Sequence, residues 1–252
     1  MAKESLIYGI RAVIEAVEAG KSFNKVFLQK GLQGDLFQQL EGVLRKASVS
    51  TSYVPIEKLN RLTPHNHQGA VGQMSPVNFV GLEEVVESAL AENKPALFLL
   101  LDQVSDVRNY GAIIRTAECT GASGIILAKS GNAPVNEDTI KTSAGAAFNI
   151  PLIKVDHLKD AVYYLQASGI QVVGITEKAS DSLYEQDLKA PLALLMGSEE
   201  KGIHPSLLKL TDARGSLPLL GKIESLNVSV ACGIALYEVI RQRLFAPPAA
   251  AQ

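Results

Sequence analysis

The chain lacks any apolar run of the roughly 18 residues that a membrane span requires, and its start, Met1-Ala2-Lys3-Glu4-Ser5, has neither the basic region nor the apolar core of a signal peptide. A cytoplasmic protein with no membrane partner is expected. An excess of positive charge is also missing: 24 Lys and Arg stand against 26 Asp and Glu, a net charge of −2. No global basic field therefore draws the chain to nucleic acid. Local clusters remain, with Lys21, Lys25 and Lys30 near the N-terminus and Arg241 with Arg243 late in the chain. Each also reads as solvated surface, the arginine pair as favourable cations at a helix C-terminus. Cysteine is scarce: Cys119 and Cys232 both fall in apolar helical patterns and read as small buried thiols without chemistry.

Several signature motifs are absent as well. There is no Gly-x-Gly-x-x-Gly after an early strand and no Gly-x-x-x-x-Gly-Lys-Ser/Thr, so neither dinucleotide nor P-loop phosphate binding is signalled. The lack of Gly-x-Ser-x-Gly argues against an α/β-hydrolase. His65 and His67 have no Cys or His cluster to complete a metal site, so they read as loop residues and no metal is expected. No internal repeat occurs. The one low-complexity tract is the Ala/Pro tail at 246–252, which is expected to fray.

What is present fits a folded globular protein, with 47% hydrophobic and 20% charged residues and length for one large domain or two ordinary ones. Residues 1–75 alternate helix and strand in short units. An amphipathic Tyr8 to Ala19 is stopped by Gly20, then come a strand Lys25 to Gln29, a helix Asp35 to Ala47 and an extended Val49 to Val54. A short helical Ile56 to Leu62 and a strand Ala70 to Met74 follow. This makes a small α/β domain with a modest core, suited to presenting a substrate. Residues 76–94, with an acidic helical stretch ending before Pro95, read as a linker. From 95 to 245 the pattern lengthens, with strands expected at Ala96–Leu101, Gly124–Ala128, Pro151–Val155, Gln171–Thr176, Leu192–Met196 and Gly215–Leu219. Strongly apolar strands alternating with helices indicate a largely parallel sheet covered on both faces. Ligands bind such sheets at the carboxyl ends of strands.

Three polar constellations lie at those ends. After Ala96–Leu101 comes Asp102-Gln103-Val104-Ser105-Asp106-Val107-Arg108-Asn109-Tyr110-Gly111, leading into a helix near Gly111 that Asn109 can cap. Arg115 follows among apolar neighbours, where a buried guanidinium needs a carboxylate or phosphate partner; an ion pair with Glu118 is the alternative. After Leu192–Met196 comes Gly197-Ser198-Glu199-Glu200-Lys201-Gly202, whose glycines permit close backbone approach to a ligand, or simply a tight βα turn. The third runs from Leu217-Pro218-Leu219 through Ile223-Glu224-Ser225-Leu226-Asn227 into an almost wholly apolar helix. Pro218 denies the sheet a donor, so the chain should leave it there as a buried loop with free backbone groups. Asn227 is placed to cap the helix, and a helix apolar all round must be covered.

In this order the constellations resemble the SpoU/TrmH family of RNA ribose 2′-O-methyltransferases, within the SPOUT superfamily. The matching pieces are Asn109 to Ala117, Leu195-Met196-Gly197-Ser198-Glu199, and Leu217-Pro218 with Ser225 to Ala231. The front half, with Tyr8-Gly9-Ile10 and His67-Gln68-Gly69, resembles the family's L30-like substrate-binding domain. The whole looks most like the branch that methylates a guanosine ribose in 23S rRNA. The resemblance implies an α/β fold whose parallel-sheet catalytic domain, 95–245, is closed by a deep C-terminal trefoil knot, against the usual rule on threading. It implies S-adenosylmethionine as cofactor, contacted by Thr176, Gly197, Leu217, Leu219 and Leu226, mainly through the main chain. It gives the catalytic role to Arg115, with Asn109, Glu199, Ser225 and Asn227 shaping the site. It also implies an RNA partner and a homodimer formed through the catalytic domain and its last helix, although burial within one chain would look the same. Val107-Arg108 and Glu200-Lys201 depart from the commonest pattern and leave acceptor choice open. A tRNA substrate, a non-catalytic RNA-binding module and a small-molecule α/β enzyme are the alternatives.

Overall fold

The computed structural model describes residues 6–245; the tail expected to fray lies outside the described residues. The chain divides into two compact units, one reaching Asn78 and including Pro134–Glu137, the other made of Phe79–Ala133 and the residues from Asp138 onward.

The first unit runs β1 (Leu6–Tyr8), α1 (Ile10–Glu18), β2 (Phe23–Gln29), α2 (Asp35–Lys46), β3 (Thr51–Val54), α3 (Ile56–Leu62) and β4 (Ala70–Met74). Its sheet has the order β1-β4-β2-β3, with β4 antiparallel to both neighbours and β2 parallel to β3. Alternation along the strands divides two small cores. Val26, Leu28 and Ala70 pack with Val13, Val17, Leu40 and Leu44 of α1 and α2, whereas Val71 packs with Val54 and Leu59. The sequence pattern hides β1, because three residues show no period; Gly9, at φ +96°, ends it and starts α1 two residues later than Tyr8. Asn24 is buried and binds both main-chain groups of Val135, accepting from its N–H at 3.2 Å and donating to its carbonyl at 2.7 Å. His67 is more than a loop residue: it is buried, its Nδ1 accepts from Gly69 N–H at 3.0 Å and its Nε2 lies 2.9 Å from Asn60 Oδ1.

The second unit contains α4 (Leu82–Leu90), β5 (Leu97–Leu101), α5 (Val107–Cys119), β6 (Gly124–Ala128), α6 (Glu137–Thr142), β7 (Leu152–Val155), α7 (Leu158–Ala167), β8 (Gln171–Ile175), β9 (Leu192–Met196), α8 (Pro205–Leu208), β10 (Ala213–Gly215) and α9 (Val228–Leu244). Its six strands, ordered β10-β8-β9-β5-β6-β7, are all parallel. Strands β5 and β9 lie at the centre and are buried at every residue, which explains their unbroken apolar runs. The segment read as a linker is not one: Leu82, Val86 and Ala89 of α4 join the core with Phe98, Leu100 and Ala193. Acidic residues on the helix's other face gave it the look of a connector.

Further expectations change. The last strand is Ala213–Gly215 rather than Gly215–Leu219, because Ser216 N–H turns to the Asp181 carbonyl at 2.9 Å and the chain departs. The loop after it is open, with Leu220 99% and Ile223 76% exposed. Helix α9 buries Cys232, Ala235, Leu236 and Val239 but leaves Val230, Tyr237 and Leu244 exposed, so one chain covers only half of it. Cys119 is likewise exposed, whereas Cys232 is buried and burial pushes its thiol up to about 12. Neither late arginine is free surface: Arg241 pairs with Glu238 through two bonds of 2.8 Å, and Arg243 donates to the carbonyls of Pro95, Ala96, Leu188 and Ala190. Among the described residues no helix is long and apolar enough to cross a membrane.

Lys154 on β7 lies 3.8 Å from the centroid of the Phe79 ring. Burial, followed by repulsion from Lys129, brings its pKa down to about 7, although the ring face opposes part of that shift. An unfolded lysine titrates near pH 10.4, so between about 7 and about 10 the unfolded chain binds more protons. Stability should rise with pH across that window. Lys154→Met should remove this slope and raise the melting temperature at pH 7 by a few degrees, as read from thermal unfolding at several pH values.

Candidate functional site

The ends of β5 and β9 and the loop after β10 bring the three polar constellations together. Asp106, not Asn109, caps α5: its Oδ1 accepts from the N–H groups of Arg108 and Asn109, each at 2.9 Å. The helix therefore begins at Val107, and the Asn109 side chain is free to act elsewhere. Its Nδ2 donates to Glu199 Oε1 at 2.6 Å. Asn227 does cap α9, accepting from the N–H groups of Ser229 and Val230, and its Nδ2 donates to Glu199 Oε1 at 2.8 Å and to Asn109 Oδ1 at 3.0 Å. Ser229 closes the cluster with a hydroxyl 2.6 Å from Asn227 Oδ1 and 3.4 Å from Asn109 Oδ1. Glu199 Oε2 has no hydrogen-bond partner among the described residues.

Glycine makes this meeting possible. A Cβ on Gly197 would stand 2.0 Å from the carbonyl carbon of Gly202, so only glycine allows the turn after β9 to fold back. The turn is closed by Ser198 and Gly202, which exchange main-chain bonds of 3.2 and 2.9 Å. Buried Asp102, directly after β5, accepts from His204 N–H at 2.8 Å and ties the far end of that loop to the neighbouring strand. On α5, a Cβ at Gly111 would lie 1.9 Å from Thr142 Oγ1, so glycine there lets the loop after α6 press against the helix.

Beside the cluster opens a cavity of about 380 Å³, within the range of small-molecule sites. Thr176, Gly197, Leu217, Leu219 and Leu226, the residues expected to hold a cofactor, all line it, as do Glu199 and Ser225. From Leu217 to Leu226 the main chain makes no hydrogen bond with a described residue. The N–H and C=O groups of this open loop are available to a ligand. The fit to S-adenosylmethionine rests on this arrangement, with polar main chain on one wall and leucine side chains around it.

Arg115 stands apart. It is exposed rather than buried, makes no hydrogen bond or ion pair with a described residue, Glu118 included, and does not line the cavity. Sequence reasoning missed Asp102, Asp106 and Ser229. An acidic residue just ahead of an amphipathic helix was the available signal for Asp106; the other two have meaning only through distant partners. Among the described residues no group of three His, Cys, Asp or Glu could hold a metal ion.

Comparison with known proteins gives matches over both units. A model described as the SpoU rRNA methylase family matches residues 96–237, and one described as RNA 2′-O ribose methyltransferase substrate binding matches residues 6–80. The 23S rRNA (guanosine-2′-O-)-methyltransferase RlmB of Vibrio parahaemolyticus is 35% identical over 242 residues, covering 95% of this chain and 98% of the relative. Among solved structures, the AdoMet-bound rRNA methyltransferase from Sinorhizobium meliloti superposes with a TM-score of 0.61 at 27% identity, over 96% of this chain and 88% of its own. The TrmH/SpoU tRNA modifying enzyme of A. aeolicus reaches 0.55 at 30% identity, over 64% of this chain and 82% of its own.

Asn227→Asp separates the two duties of that residue. Aspartate still caps α9, but a carboxylate replaces the amide facing Glu199. The variant should lose stability at pH 7 by about 1 kcal/mol and recover it as pH falls through the carboxylate range and protonation restores a donor. Chemical denaturation at pH 7 and pH 4.5 checks this; equal losses at both would remove the Glu199 contact from the account.

Proposed function

We propose, from the premise that the chain belongs to the SpoU rRNA methylase family, that it methylates the 2′-hydroxyl of a guanosine ribose in 23S rRNA. Its enzyme class follows from that membership: it is an RNA 2′-O-ribose methyltransferase that takes its methyl group from S-adenosylmethionine. The observation that carries the reading is the meeting of the open-backbone cavity with the Asn109–Glu199–Asn227 cluster. The finer choice of rRNA is supported by the length of the matches, since the 23S rRNA relative aligns over nearly the whole chain and the tRNA modifying enzyme over about two thirds.

Bound S-adenosylmethionine supplies an activated methyl group. Thr176, Gly197, Leu217, Leu219 and Leu226 would hold it, the leucines by packing and the 217–226 backbone by hydrogen bonds. Asn109 and Asn227 fix Glu199 from two sides, which leaves Oε2 to accept from the incoming ribose hydroxyl and orient it. Ser225, exposed in the cavity wall, shapes the approach. Arg115 presents a planar guanidinium whose fixed donors match a phosphate. Exposed and without a partner among the described residues, it is suited to bind an RNA phosphate.

The same reading assigns RNA capture to the first unit as an L30-like domain. There Lys25 and Lys58 lie 5.8 and 5.4 Å from the Phe27 ring centroid, and Tyr8 stacks on His65 at 5.0 Å. Cations and aromatic faces of this kind suit an RNA strand despite the negative net charge. It places the protein in the cytoplasm, where its substrate is made. It includes a C-terminal trefoil knot, supported by the way Gln242 and Arg243 end α9 among the main-chain groups of 186–190 and Pro95-Ala96. It also includes a homodimer, supported by the half-covered α9 with Val230, Tyr237 and Leu244 in one exposed stripe.

Labelled S-adenosylmethionine and unmodified 23S rRNA should give a methylated guanosine ribose. RNA binding without transfer to any ribose would instead mean a non-catalytic module. Arg115→Ala should lower turnover at least about a hundredfold while cofactor affinity stays within a few fold. For the assembly, sedimentation should give twice the chain mass, reduced to one by Tyr237→Glu with Leu244→Glu.

A further inference from the structure

A second, smaller cavity adjoins the first. Its volume is about 180 Å³, and Gln103, Ser105, Asp106, Asn109 and Gly131 line it. Ser198, Glu199, Glu200 and Lys201 line both cavities, so the turn after β9 is a common wall. The 380 Å³ cavity suits a ligand of cofactor size, whereas 180 Å³ falls below the roughly 300 Å³ of such sites and suits a single planar base. Glu199, held at the boundary by Asn109, faces both.

One lining residue of the smaller cavity is held at a conformational cost. Gln103 has φ +61°, an uncommon left-handed conformation for a residue with a side chain. Neighbouring contacts maintain it. Val104 N–H donates to Asn132 Oδ1 at 3.0 Å, and the Val104 carbonyl accepts from Ala133 N–H at 2.8 Å. Gly131, at φ +89°, lies so close that a Cβ there would be 3.2 Å from Gln103 Cγ. The Gln103 carboxamide has no partner among the described residues. Asp106 uses Oδ1 for the cap of α5, and its Oδ2 has no partner among the described residues. The cavity therefore offers an acceptor-only carboxylate oxygen beside a carboxamide that can donate.

We infer that this cavity receives the base of the acceptor nucleotide and that Asp106 and Gln103 select guanine. The inference rests on the methyltransferase reading and adds to it a site for the base. Guanine presents N–H donors at N1 and its 2-amino group beside the O6 acceptor. Asp106 Oδ2 accepts from that donor edge and the Gln103 amide donates to O6. Adenine turns a lone pair at N1 toward the carboxylate and is repelled. A base seated there leaves its ribose at the shared wall, where Glu199 can reach the 2′-hydroxyl and the methyl group can arrive from the other side.

Two variants test this without disturbing the fold. Asp106→Asn keeps a good cap for α5, and Gln103→Gly suits the left-handed backbone while removing the amide. Methyl transfer is measured to one RNA carrying either guanosine or adenosine at the acceptor position. Cofactor affinity and melting temperature are measured in parallel. Each variant should lower kcat/KM for guanosine at least about tenfold, the loss expected for a specific base contact. Asp106→Asn should also narrow the guanosine-to-adenosine ratio by about the same factor, because its amide can donate to adenine N1. Cofactor affinity should stay within twofold. Active variants whose ratio and guanosine kcat/KM match the parent within twofold would overturn the base site alone. A parent protein that transfers to no RNA would overturn the methyltransferase reading, and this inference with it.

Discussion

One carboxylate oxygen organises the second unit. Glu199 Oε1 takes a hydrogen bond from Asn109 on α5 and another from Asn227 at the start of α9, at 2.6 and 2.8 Å. Three segments far apart in the chain are thereby fixed to one point, and charge-assisted bonds of this kind are stronger than neutral ones. Each partner is free for this because another residue carries the local load. Asp106 caps α5 in place of Asn109, Asn227 uses its oxygen for its own helix and its nitrogen for Glu199, and Gly197 omits the Cβ that would push the turn outward. Removing any one of these conditions moves the carboxylate that both cavities share.

The parallel sheet supplies the rigid frame for that point. Strands β5 and β9 are neighbours and fully buried, so the loops leaving their carboxyl ends start from fixed positions only one strand apart. Asp102 reinforces this by holding His204 N–H across the two loops. At the opposite end of α9, Arg243 spreads its guanidinium over four carbonyls, those of Pro95, Ala96, Leu188 and Ala190. A planar fork with five donors serves this arrangement where a lysine could not. Helix α9 is thus anchored at both ends and exposes its remaining apolar stripe.

Recognition is divided between backbone and side chains. The larger cavity offers main-chain groups from a loop without internal hydrogen bonds, which can satisfy a polar cofactor but leaves little trace in residue type. The smaller one offers Asp106 and Gln103, whose identities carry chemical information. In the first unit Lys25 and Lys58 sit over one aromatic ring, that of Phe27, on a chain of net charge −2, so the RNA-binding surface proposed there is local rather than a property of the whole.

The amino-acid sequence by itself determined the elements and much of the site's composition. Period-2 and period-3.6 patterns placed most strands and the helices of the first unit to within a few residues, and unbroken apolar runs such as Leu97–Leu101 declared a parallel, doubly covered sheet. Asn109, Glu199 and Asn227 were legible as polar residues at strand ends. The three-residue β1 was too short to show a period, and α4 looked like a connector because its acidic face dominates its composition. Only the tertiary structure decided which helix each asparagine caps, that the Arg115 side chain is exposed and unpaired, and that Asp102, Asp106 and Ser229 belong to the site. It alone showed α9 half uncovered and Cys119 open to solvent. The physical reason is that patterning reports what a segment does with its own neighbours, whereas a hydrogen bond between residues 109, 199 and 227 exists only once the sheet has brought their strand ends together.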